Sequence, residues 1–99
     1  MGNKLSPQDM ALYRACDEVL HYVWDPIGVA TAPQARDEYY SYLPLVFQMV
    51  RDGRSEEEVA KYLTQITTVQ MGLDEAHSHD LDVARLLLEW KDVVDEKYA

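Results

Sequence analysis

A chain of 99 residues with 47% hydrophobic and 27% charged residues has the length of one domain, and it is neither collagenous nor wholly disordered. Nine basic and 18 acidic residues leave a net charge of −9. Phosphate binding needs clustered Lys or Arg, so neither nucleic acid nor an anionic membrane is expected as a partner.

The first helix signal is Ser6-Pro7-Gln8-Asp9, a hydroxyl cap followed by a first-turn proline and an acid at the positive end of the dipole. Leu12, Cys16, Val19, Leu20 and Val23 then mark one buried face. Pro26 ends the run near Trp24, because the residue before a proline is driven out of the α region. A second helix is expected over 33–52, with Ala35, Tyr39, Tyr42, Leu43, Val46 and Val50 inward. Pro44 lies within that stripe and predicts a kink or a break. Gly53 is the expected left-handed cap.

Ser55 and Glu58 have the spacing of a capping box, and three acids fill the first turn behind Ser55. Val59, Leu63, Ile66 and Val69 or Gln70 carry the third helix. The last presents Leu81, Ala84, Leu87, Leu88 and Val94. No window sustains strand alternation between turn residues. The fold class is therefore all-α, a small bundle of four main helices over 7–24, 33–52, 56–71 and 80–97.

Chemistry is sparse. Cys16 is the lone cysteine, so no internal disulfide forms and a reducing, cytoplasmic location is expected. It falls on the apolar face, where a thiol acts as a small hydrophobe, and it does not share a helix face cleanly with His21. The first residues show no signal-peptide run, and no segment approaches the ~20 apolar residues of a membrane span. Met1-Gly2 with Ser6 fits a myristoylation pattern, but without a basic cluster no lipid anchor is expected. His77 and His79, flanked by acids, form the most ligand-rich segment, yet neighbouring cysteines or a second cluster are lacking, so a solvated loop is expected there rather than a metal site. No phosphate-cradling glycine loop or H-E-x-x-H pattern is present, and neither catalysis nor a cofactor is expected.

Charge is more informative. Residues 74–99 hold eight acids against three bases, the largest local excess in the chain. Asp74, Glu75, Asp80 and Asp82 open that segment. A second patch, Asp37, Glu38 and Tyr40, follows from the inward placement of Tyr39 and Tyr42, with Phe47 expected near Tyr40. Exposed rings rimmed by carboxylates suit a basic protein surface.

Trp24-Asp25-Pro26-Ile27-Gly28-Val29 is the most distinctive string, with Trp24 expected to pack at a helix end and Asp25 to accept from the following turn. Together with the Tyr39–Tyr42 region and the Val83–Leu88 helix, it resembles a family of short bacterial helical proteins known as domain of unknown function 1871, over roughly residues 15–92. The resemblance implies a helix ending in a W-D-P turn, a tyrosine-bearing second helix and two more helices, and brings no activity. The functional expectation is a small acidic module that neutralises a basic protein partner, such as a nuclease toxin, through Asp37, Glu38, Tyr40, Asp74, Glu75, Asp80 and Asp82. The alternative is a structural or regulatory homo-oligomer, with a homodimer as its simplest form.

Overall fold

The computed structural model describes residues 5–99; Met1–Lys4, and with them the Met1-Gly2 lipidation pattern, lie outside the described residues. The described residues form four α-helices: α1 (Pro7–Val19), α2 (Leu43–Arg51), α3 (Glu56–Gln65) and α4 (His77–Lys97). Helix α4 packs along both α3 and α1, and α2 closes the bundle mainly against α1. The interior runs from Leu12, Cys16 and Leu20 through Val46 and Val50 to Val59, Leu63, Ile66, Val83 and Leu87. None of the described helices is long and apolar enough to cross a membrane.

The helix ends form where their chemistry dictates. Ser6 Oγ accepts from the Asp9 amide at 3.1 Å, with Pro7 in the first turn. Ser55 and Glu58 exchange bonds, Glu58 N donating to Ser55 Oγ at 3.1 Å and Ser55 N to Glu58 Oε1 at 3.2 Å. At the end of α2, Gly53 takes φ of +76° while the Gly53 and Arg54 amides donate to the Val50 and Met49 carbonyls at 3.1 and 3.0 Å. That pair of bonds is a Schellman closure, which requires the left-handed residue.

Two helices widen before they stop. α1 runs on into a π turn at Leu20–Trp24, and α3 into another at Ile66–Gln70. In both, the closing amide (Asp25 or Met71) reaches the carbonyl five residues back, Leu20 or Ile66, at 3.0 Å. Thr67 and Thr68 hydroxyls both donate to the Thr64 carbonyl, at 3.0 and 2.8 Å, competing with the α ladder where α3 widens. A wider turn holds an extra residue and rotates its later side chains off the helical stripe. Val23, and both Val69 and Gln70, one of which is expected inward, are therefore exposed, Val69 to 73%, while Trp24 and Thr67 take the inward places.

The second expected helix is shorter than 33–52. Only Leu43–Arg51 is α-helical, and Pro44 stands in its first turn, not at a mid-helix kink. Upstream are a 3₁₀ turn at Pro33–Ala35 and a succession of tight turns in which Glu38, Tyr40 and Tyr42 donate to the carbonyls three residues back. Pro44 contributes, since it has no N–H for the ladder and its ring excludes the carbonyl four residues earlier. Phe47 is buried, its ring edge-on to Tyr13 at 5.1 Å, while Tyr40 is exposed.

Cys16 is fully buried, and burial, helped by the neighbouring Asp17 charge, pushes its thiol up to about 12. It is thus a protonated thiol at neutral pH. Native protein at pH 8 should resist iodoacetamide for hours, and labelling should track unfolding when urea is added. Prompt modification of the native chain would contradict this packing.

Candidate functional site

The π turns ending α1 and α3 meet the N-terminus of α4 around one side chain. Asp80, in the first turn of α4, is 1% exposed. Its Oδ1 accepts from Trp24 Nε1 at 3.0 Å and its Oδ2 from the Thr64 hydroxyl at 2.7 Å. His79 Nε2 lies 3.0 Å from the Trp24 carbonyl oxygen, which can only accept, so that nitrogen carries the hydrogen. α1, α3 and α4 are thereby tied by three polar contacts that bridge 16 to 56 positions of sequence.

Asp25 organises the next segment. It has left-handed backbone angles, φ 34° and ψ 61°, which a non-glycine residue holds only when its surroundings enforce them. Its carboxylate accepts from the Val29 and Ala30 amides at 2.7 and 3.0 Å and from the Tyr39 hydroxyl at 2.7 Å. The Tyr39 oxygen in turn accepts from the Ile27 amide at 3.2 Å. Burial would raise the Asp25 carboxyl, but the three donors outweigh it and hold the group below its ordinary value. Tyr39 is shifted upward, by burial first and also by donation to the ionised Asp25.

Trp24, Pro26, Leu73 and His79 border a cleft of about 280 Å³, with Asp25, Asp74 and Asp80 also on its wall. Two of those three carboxylates are already saturated by protein donors, and His79 is bound to backbone. In this cleft Asp25, Asp80 and His79 hold neighbouring segments of the fold together. Among the described residues, no three His, Cys, Asp or Glu side chains are grouped to hold a metal ion. His77 and His79 belong to the first turn of α4 and not to the solvated loop expected for them.

Of the partner-binding residues expected from sequence, Asp80 is corrected. It is an interior acceptor that no partner can reach. Asp37, Glu38, Tyr40, Asp74, Glu75 and Asp82 are exposed, Tyr40 to 48%. Asp82 stands 3.7 Å from Arg85, whereas no ion pair engages Asp37, Glu38, Asp74 or Glu75 among the described residues. Arg36, next to the first patch in sequence, is spent on Asp17, which it grips with two bonds at 2.9 and 3.0 Å while lying 5.3 Å over the Tyr22 ring. Both patches hang from the same hub: Tyr39 is bound to Asp25, and Asp74 shares the cleft wall with Trp24.

Fold and site together define a small all-helical protein in which Asp25 and Asp80 are structural acceptors, while Asp37, Glu38, Asp74 and Glu75 stand exposed without ion pairs among the described residues. Set against protein-family models, curated proteins and solved structures, the chain finds no match in any of the three.

Proposed function

We propose that this chain is an acidic protein-binding module that neutralises a basic partner, in the manner of an immunity protein covering the positive cleft of a nuclease toxin, without turnover. The observation that carries the reading is the exposure, without ion pairs among the described residues, of Asp37 and Glu38 in the turns that carry the exposed ring of Tyr40, and of Asp74 and Glu75 just before α4. Unpaired surface acids raise the encounter rate with a basic protein, and a tyrosine supplies contact area at small entropic cost. Asp82 is exposed in the same acidic run as Asp74 and Glu75 and adds to its charge. The resemblance to domain of unknown function 1871 read from the sequence brings no activity, so the reading rests on the surface residues. An immunity role also places the cognate toxin in the adjacent reading frame, and that product is the partner to express and purify.

Association with that product should slow about tenfold or more between ~50 and ~300 mM salt. Asp74→Lys with Glu75→Lys should slow it by a similar factor at low salt while leaving the circular dichroism spectrum unchanged. An association rate indifferent to both salt and charge reversal would sink the proposal.

A further inference from the structure

The outward face of α4 is apolar at its centre and charged at its ends. Trp90 is 40% and Val93 54% exposed, and with Leu86 and Glu89 they line a shallow groove on α4 itself. Asp82, Leu86, Trp90, Val93 and Lys97 follow 4-4-3-4 spacing, which puts them on one side of the helix. The order along that side is acid, apolar, aromatic, apolar, base, spanning about 22 Å. Lys97 and Glu89 have no ion pair among the described residues.

This order is self-complementary under reversal. Turn a second α4 antiparallel about an axis through the midpoint of residues 89 and 90, and each position meets its opposite. Asp82 then faces Lys97 of the other copy, Leu86 faces Val93, and the two Trp90 rings meet on one flank. We propose that this face is a self-recognition surface on which a second copy of the chain docks antiparallel about that two-fold axis. An isologous contact uses each feature twice, so one stripe supplies two end-to-end ion pairs and an aromatic pair. Glu89 is the opposing element, because it approaches its own copy on the other flank. A contact of this size gives a weak dimer, with Kd on the order of 10–1000 μM. This surface shares only Asp82 with the partner-binding residues, and salt separates the two. Screening weakens capture of a basic protein but favours the approach of two chains that each carry −9.

Sedimentation velocity of the whole chain from ~10 μM to ~1 mM reads this directly. The average mass should rise with concentration from 11.4 kDa toward twice that value. Val93→Lys should hold the protein monomeric throughout. Asp82→Lys or Lys97→Asp alone should weaken association about three- to tenfold, and the two together should return it to within about twofold of the parent. Glu89→Gln should tighten it a few-fold. A monomer at every concentration overturns the proposal, and so does a dimer that ignores Val93→Lys. A dimer broken by the double charge swap places Asp82 and Lys97 elsewhere and overturns the antiparallel register.

Discussion

Replacing Trp24 with alanine should leave the protein largely unfolded at room temperature or close to it. Truncating a buried tryptophan costs about 3–5 kcal/mol, and stranding a buried acceptor adds about 1–3 kcal/mol. Trp24 is 1% exposed, and the acceptor it would abandon is the equally buried Asp80. Domains of this size carry about 5–15 kcal/mol in total, so the summed loss is comparable with the whole. Trp24→Phe separates the two contributions, since it keeps most of the ring and removes the N–H; about 2 kcal/mol is expected in urea denaturation. Asp80→Leu alone should cost about 2–4 kcal/mol, because it leaves the indole N–H buried without a partner. Combining Trp24→Phe with Asp80→Leu should cost less than the sum of the two by about 1–2 kcal/mol, as an apolar pair strands nothing. Strict additivity would mean that the indole–carboxylate bond contributes nothing.

The local signals in the sequence translated well into structure. The Ser6 and Ser55 caps and the Gly53 closure each depend on residues within six positions of one another, so spacing alone exposes them. The inward stripes of α1 and α3 hold as far as Leu20 and Ile66 and fail just beyond. There each backbone turns to i→i−5 bonding, and the 100° periodicity that placed Val23 and Val69 or Gln70 inside no longer applies. Pro44 signalled a disruption, but its position within a first turn depended on whether the residues before it could be helical. Tyr39 bound to Asp25 and Arg36 gripping Asp17 decided that, and both contacts are non-local.

Asp80 shows the limit most clearly. Counted by charge, it belongs with Asp74, Glu75 and Asp82 in one acidic run. In the fold, the first turn of α4 points it inward, where an indole and a threonine hydroxyl from two other helices satisfy it. One signal was available: an inward Trp24 needs an acceptor for its N–H, and a buried tryptophan beside an acid-rich helix start narrows the choice. Thr64 offered no comparable sign. The exposed acids were legible because solvated carboxylates make no demand on tertiary structure, while the buried one can be placed only by its donors.

The same distinction governs Asp25, whose replacement carries a consequence for the surface. Asp25→Ala removes the acceptor of the Val29 and Ala30 amides and of the Tyr39 hydroxyl, and leaves an alanine at φ 34°. A loss of about 2–4 kcal/mol is expected, against about 1 kcal/mol for Asp25→Asn, which still accepts hydrogen bonds and tolerates the left-handed region. The damage should be local first. In hydrogen exchange, the Ile27, Val29 and Ala30 amides should lose protection while those of Val59 and Leu63 keep it. Acid provides an independent check with a defined sign. Because the folded carboxyl titrates below its unfolded value of 3.8, the unfolded chain binds more protons between those two values, and stability falls as pH drops through that window. The contribution is complete above 3.8 and absent below the folded value. Glu58 and Asp95 are also shifted downward at the surface, so the quantity to follow is the difference between parent and Asp25→Asn. That difference should shrink as pH falls below 4, and a constant offset from pH 7 to 2 would show that Asp25 is not the ionised acceptor. Tyr39 holds the turns that present Asp37, Glu38 and Tyr40, so Asp25→Ala should also slow capture of a basic partner although none of those three residues has changed. Asp25→Asn, with the staple kept, should stay near the parent rate; an equal slowing in both variants would trace the effect to the lost charge instead of the loosened turn.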